Sequence, residues 1–148
     1  MTRRPLRLLL MLTCVSALVA LTPLSAQAQE EMTITVGPTG TLLARGVAVI
    51  VPMEITCGPI EVDPRFTMAD AELRQAVRRQ IAHGFGFPEQ PIVCDGTPHP
   101  NTATILADTS GPPFKKGQAV VEVSVRVGNE TFCCISGGSG IQTIRLRR

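Results

Sequence analysis

AVVEVSVRV, residues Ala119–Val127, decides the fold. Val121, Val123, Val125 and Val127 fall on one face, and Glu122, Ser124 and Arg126 fall on the other. Only an extended strand, with its period of two, separates these side chains so cleanly. A helix would spread the valines around its circumference and would suffer from their β-branching. The stretch therefore reads as a central strand of an antiparallel sheet with one buried and one wet face.

Toward the C-terminus, Gly128-Asn129-Glu130 reads as a turn and Gly137-Gly138-Ser139-Gly140 as a flexible loop. Ile141–Arg148 reads as the last strand, with Ile144 and Leu146 inward. Toward the N-terminus, Lys115-Lys116-Gly117 leads into the central strand, and Gly117 suits a positive φ. Ser110-Gly111-Pro112-Pro113 is a loop, Thr102–Ala107 a strand, and Asp95-Gly96 a turn prolonged by Pro98 and Pro100. Pro91–Cys94 reads as a short strand and Gly84–Pro88 as a loop.

Val47–Cys57 alternates again: Val47, Val49, Val51, Met53, Ile55 and Cys57 share one face. Pro52 has no N–H to give a ladder, so the strand should lie at an edge there, or be bulged. Thr33–Val36 is a further short strand, Gly37–Gly40 a turn, and Gln29–Met32 a frayed end.

Pro64–Ala82 admits two readings. Ala69, Leu73, Ala76 and Val77 would line one side of a helix, with Thr67 as its cap, and local propensity favours a short helix near 68–82. Alternatively Leu73, Val77 and Ile81 lie on one face of a bent strand, though that face would also carry Gln75 and Arg79. With six or seven short strands separated by turns, the expectation is an all-β, antiparallel, immunoglobulin-like β-sandwich of about 7 strands. There is no Trp, so the likeness is one of architecture.

At 148 residues the chain allows one domain, and its beginning is not part of that domain. Arg3, Arg4 and Arg7 head an apolar run, Leu8–Leu21, and Ala26-Gln27-Ala28 supplies the small residues of a cleavage site. Residues 1–28 thus read as a secretory signal peptide, leaving 29–148 as a single secreted domain. The run is short for a transmembrane anchor. Thr2-Arg3-Arg4 fits the twin-arginine pattern poorly, and Met11-Leu12-Thr13 is a poor approach to a lipidated Cys14. Removal of 1–28 takes three of fourteen basic residues and none of the twelve acidic ones, so the net charge passes from +2 to −1. A nearly neutral chain gives no electrostatic reason to expect nucleic acid or an anionic membrane as partner.

Gly40–Leu43, Val51–Gly58, Gln80–Gly84, Val93–His99 (VCDGTPH), Phe114–Gly117 (FKKG) and the closing Ile144–Arg148 resemble segments of a loose, uncharacterised group of small secreted β-sandwich proteins of high-GC Gram-positive bacteria. CDGTxH and FKKG are its most specific words. The resemblance implies a β-sandwich and supplies no activity. It favours the strand reading of Leu73–Ala82. Relatives tend to separate their last two cysteines, whereas Cys133 and Cys134 are adjacent here.

Four cysteines remain after the signal: Cys57, Cys94, Cys133 and Cys134. An even number in an exported domain reads as disulfides, and four cysteines permit three pairings. Cys57 and Cys94 continue apolar alternations with Ile55 and Ile92, so each should point inward, where a cross-sheet bridge can form. Neighbours on a strand face opposite ways, so Cys133 and Cys134 cannot both reach the core. They form a strained vicinal pair or stay partly free, and a thiol-active role is the alternative to cross-linking.

No catalytic, metal or cofactor site is expected. His99 and Asp95 share one turn and are the only nearby pair of metal-ligand type, while His83 stands before glycines with no companion. Glu30 and Glu31 lie in a frayed end, and Glu61 with Asp63 reads as a solvated face. Gly137–Gly140 lacks the lysine and following helix of a phosphate loop. Without Trp or Tyr, stacking on sugar rings is disfavoured. Arg74, Arg78 and Arg79 with Lys115 and Lys116 could form a basic patch for an anionic cell-wall polymer. Asn129-Glu130-Thr131 matches a glycosylation triplet, which matters only in a eukaryotic route. The expected function is a non-enzymatic exported protein acting by surface contacts with a protein or envelope partner. The runner-up is an inhibitor of a secreted enzyme, presenting Pro88–Pro91 or Ser110–Phe114.

Overall fold

The computed structural model describes residues 31–131 and 134–148. The signal reading of 1–28, Glu30 and Cys133 lie outside them. Nine strands follow in order: β1 (Thr33–Val36), β2 (Thr39–Leu43), β3 (Ala48–Thr56), β4 (Met68–Val77), β5 (Gln80–Pro88), β6 (His99–Ala107), β7 (Gly117–Val127), β8 (Ile135–Gly138) and β9 (Gln142–Arg147). Short 3₁₀ turns occupy Ala44–Gly46 and Pro64–Phe66.

AVVEVSVRV is the middle of the wall. Val121, Val123, Val125 and Val127 are at most 1% exposed, and β7 bonds β4 on one edge and β8 and β9 on the other. β8 and β9 act as one interrupted strand along that edge. β1 and β2 do the same along β3, with the change of partner at Pro52. The Pro52 carbonyl accepts from Gly37 N–H at 2.8 Å where β1 gives way to β2. The missing N–H therefore costs no ladder bond.

The all-β, antiparallel expectation holds, but the strands close into a seven-stranded barrel. β3 bonds β6, β6 bonds β5, β5 bonds β4, β4 bonds β7, β7 bonds β9, and β9 pairs in parallel with β2, which returns to β3. An open sandwich leaves edges on each sheet. Here the β5–β6 and β2–β9 pairings join them. Alternation along a strand is the same in a sandwich and a barrel, because each has one inward face.

The helix reading of 68–82 is overturned: β4 and β5 form a hairpin with Arg78 at its turn, in register from Ala71↔Gly86 to Val77↔Gln80. Ala71 and Leu73 point inward at 0% exposure, and so does Gln75 at 4%. Gln75 counted against a strand because an unpaired buried amide is costly. It is fully paired. Lys115 N–H donates to Gln75 Oε1 at 2.7 Å, and Gln75 Nε2 donates to the carbonyls of Lys115 at 2.8 Å and Gln118 at 3.1 Å.

Three local readings also change. Gly84–Pro88 is strand, not loop: a Cβ on Gly86 would lie 2.2 Å from the Thr104 carbonyl oxygen, so glycine here allows close approach of β6. Gly137-Gly138 ends β8 rather than forming a loop, with Met32 packed where a side chain on Gly137 would be. Pro91–Cys94 is not a strand and makes only the isolated bridge Ile60↔Cys94.

Cys57 and Cys94 are buried and joined by a disulfide. It does not cross the core between sheets. It ties the β5–β6 connection to the end of β3, closing a sequence separation of 37 residues. Replacing both cysteines by alanine should lower unfolding free energy by about 2–4 kcal/mol, read as an earlier urea midpoint with a somewhat steeper slope, because the denatured chain without the cross-link is more expanded.

Candidate functional site

The strand directions sort the connections between two ends of the barrel. One end gathers residues 44–47, 78–79 and 108–116 with the last residues of β9. It holds Arg45, Arg78, Arg79, Lys115, Lys116, Arg145, Arg147 and Arg148, eight of the eleven cations that follow residue 28, against Asp108 alone. The other end holds Glu61, Asp63, Glu89, Asp95 and Glu130, with Arg65. Near-neutral composition therefore conceals a strongly polarised molecule.

Phe114 builds the cationic end. Its ring is 1% exposed and plugs the barrel mouth, and its N–H donates to the Gly46 carbonyl at 2.9 Å. Gly46, at φ +94, has no room for a Cβ, which would lie 2.0 Å from the Phe114 carbonyl oxygen. The buried Gln75 amide grips Lys115 and Gln118 from below. Gly117 completes the turn at φ 141. The FKKG word is thus a plug, two exposed lysines held on a braced backbone, and a hinge residue. Such bracing lowers the ordering cost of binding.

Open concavities surround the two lysines. One of about 570 Å³ is lined by Gln75, Arg78, Pro112, Lys115 and Lys116 among others. A second, about 390 Å³, adds Arg45 and Arg148, and a third, about 660 Å³, adds Arg145 and Arg147. All eight cations are exposed, and among the described residues none is in an ion pair. Arg45 (φ 61) and Arg78 (φ 57) sit in the left-handed region. Non-glycine residues enter it at a cost of about 1 kcal/mol, and such strain concentrates at functional sites.

The basic patch read from the sequence is therefore partly assembled and enlarged. Arg78, Lys115 and Lys116 come together. Arg74 does not join them, because its Nε donates to Glu72 in mid-strand. Arg45, Arg145, Arg147 and Arg148 were missed. The alternation IRLRR was the signal for Arg145 and Arg147, which it puts outward while Ile144 and Leu146 fill the core; Arg45 had none.

His83 does have a companion: its Nε2 lies 2.8 Å from Glu72 Oε1, across the Arg74↔His83 register. Arg74 first, and His83 after it, hold the Glu72 carboxyl below its ordinary range. Asp95 and His99 are joined as well. Asp95 Oδ1 accepts from Thr97 N–H at 2.8 Å and Thr97 Oγ1 at 2.7 Å, and lies 2.9 Å from His99 Nε2. Thr97 Oγ1 also meets Nε2, at 3.3 Å, so one nitrogen faces both hydroxyl and carboxylate. A catalytic triad needs the two ring nitrogens to divide those tasks. Among the described residues no three His, Cys, Asp or Glu side chains converge as a metal site would require.

Asp63 is more than a solvated face: it caps the 3₁₀ turn through Arg65 N–H at 2.9 Å and pairs with the Arg65 guanidinium at 2.6 Å. Asn129 Nδ2 donates to the Glu61 carbonyl at 2.9 Å. Cys134 is disulfide-bonded and takes φ 70, and it lies in no regular strand. Comparison with protein-family models, curated proteins and solved structures gives no match.

Thr97, ahead of His99, holds the Asp95 carboxyl down to about 2 from its ordinary 3.8. Because the folded value is depressed, this turn's contribution is fully present above about pH 4 and is lost as pH falls toward 2. A carboxyl ¹³C titration should show Asp95 as the late-protonating aspartate, with the Thr97 amide resonance following the same midpoint.

Proposed function

We propose that this is an exported, non-enzymatic barrel that binds an anionic polymer of the cell envelope through its cationic end. The observation that carries this reading is eight exposed cations, free of ion pairs among the described residues, around the braced Lys115-Lys116 loop. Unpaired cations on a fixed frame attract a polyanion with little reorganisation, and their field adds along one end. Export is supported by the signal-like 1–28 and is compatible with the Cys57–Cys94 disulfide. The FKKG resemblance to small exported proteins of Gram-positive bacteria is in keeping with that setting.

The strand order supports a sandwich of immunoglobulin-like form as the parent of the barrel. Opened at the β5–β6 and β2–β9 pairings, the ring would leave β1, β2, β3 and β6 as one face and β9, β7, β4 and β5 as the other. The first strand reaches both, bonding β3 through β1 and pairing in parallel with β9 through β2. The inhibitor reading draws less support. Ser110–Phe114 ends in a buried plug, and Glu89–Pro91 is strapped down through Asn101.

Co-sedimentation of the exported protein with purified cell walls, alongside inorganic polyphosphate as a defined probe, tests the proposal. Binding should fall steeply between about 0.05 and about 0.5 M salt as screening lengths shorten. Lys115→Glu with Lys116→Glu should abolish it. Arg78→Gly should weaken it while leaving the melting temperature unchanged or higher, because glycine accepts the left-handed backbone. Retained binding in the double lysine variant would refute the proposal.

A further inference from the structure

The outer wall along β5 is greasy where a monomer's surface should be polar. Ile81, Phe85, Phe87 and, across the register on β6, Leu106 are 60%, 46%, 61% and 59% exposed. Phe85 and Phe87 pack edge to face with ring centroids 5.0 Å apart. They lie on the same face of the strand as Ile81 and the half-buried His83 between, which is engaged by Glu72, while Ala82, Gly84 and Gly86 turn inward. A cluster of large exposed apolar side chains of this kind marks an interaction site.

The charges around the ridge specify its occupant. On the β4 flank, Glu72 is already neutralised by Arg74 and His83. The two ends of the ridge are not neutralised. Arg79 stands at the turn that opens β5 and Glu89 just beyond its close. Both are exposed, and among the described residues neither is in an ion pair. Glu89 is aimed along the outer face, because Thr102 Oγ1 donates to it at 3.1 Å and Thr104 Oγ1 donates to its other oxygen. A stripe that reads cation, apolar, anion is complementary to itself when reversed.

We infer that this ridge is a two-fold interface between copies of the chain, with two β5 strands packed face to face in opposite directions. Arg79 and Glu89 are equidistant from Gly84. An axis over Gly84 sets Ile81 against Phe87 of the partner subunit and Arg79 against Glu89 of the partner subunit. Twisted walls diverge away from such an axis, and the long Arg and Glu side chains span the widening gap. An isologous contact repeats each pairing, so a marginal ion pair counts twice. This inference shares Arg79 with the polyanion reading and is otherwise independent of it, since Ile81, Phe85, Phe87, Leu106 and Glu89 lie outside the cationic end.

Sedimentation equilibrium of the exported protein tests it. Wild type should dimerise at micromolar concentration. Phe85→Ser with Phe87→Ser should leave a monomer whose circular dichroism and melting remain those of a folded barrel. Arg79→Glu and Glu89→Arg should each weaken the dimer by about tenfold, through two repulsions each. An equimolar mixture of those two single variants should restore dimerisation, because each cation then meets a carboxylate across the axis. The inference is overturned by a wild type that stays monomeric to millimolar concentration. It is overturned equally by a mixture no tighter than its components, or by a ridge that binds lipid vesicles while the protein in solution stays monomeric.

Discussion

Closure governs this molecule. A strand at the edge of a sheet exposes a row of unpaired donors and acceptors. The chain removes that liability by making β2 and β6 serve two neighbours each: β2 bonds β3 and β9, and β6 bonds β3 and β5. The β3–β6, β4–β7 and β2–β9 links all join strands distant in sequence, and β2–β9 is the parallel one among the ring's links. It requires the first and last strands to run side by side in the same direction. Once it forms, the interior becomes a cylinder of Val, Ile, Leu and Ala, and space decides which residues may face it. Gly40 shows this, since a Cβ there would lie 3.0 Å from Leu146 and 3.1 Å from Val49.

Closure also explains how much of the chain was legible. Ala119–Val127, Val49–Cys57 and Ile144–Leu146 could be read because their inward residues are large, branched and regularly spaced. Met68–Pro88 misled for physical reasons. Its inward positions are Ala71, Leu73, Gln75, Ala82, Gly84 and Gly86, of which all but Leu73 are small or polar, so the period of two is muted while helix propensity is not. Glycines at alternate positions read as a loop, although they mark where another backbone must come close. Buried Gln75 is inexplicable from the sequence, because its partners are backbone groups 40 and 43 residues away.

The candidate site was half legible for a related reason. Lys115 and Lys116 stand together in the sequence, and Arg78 and Arg79 do too. Their union depends on which connections fall at the same end of the barrel, and that depends on every intervening strand being assigned. Two open readings at 68–82, helix or bent strand, were enough to leave the direction of β5 and the place of Arg78 undetermined. Net charge misled in the same way. A total near zero is a sum, and electrostatic attraction depends on arrangement.

The polarity of the barrel is itself a consequence of how its ends are built. At the acidic end the connections are long, and their polar side chains satisfy local backbone: Asp63 caps a turn, Asp95 closes another, and Asn129 Oδ1 accepts from Thr131 N–H. Short side chains with acceptor oxygens suit that work. At the cationic end the connections are braced from within, by Phe114 in the mouth and Gln75 beneath the loop. Asp108, which accepts from Ser110 N–H at 3.0 Å, is the acid that helps there, and the lysines and arginines are left out of ion pairs among the described residues. Charge that takes no part in holding the fold is charge available to a partner. The acids at one end serve chiefly the architecture, while the eight cations at the other are, among the described residues, in no ion pair.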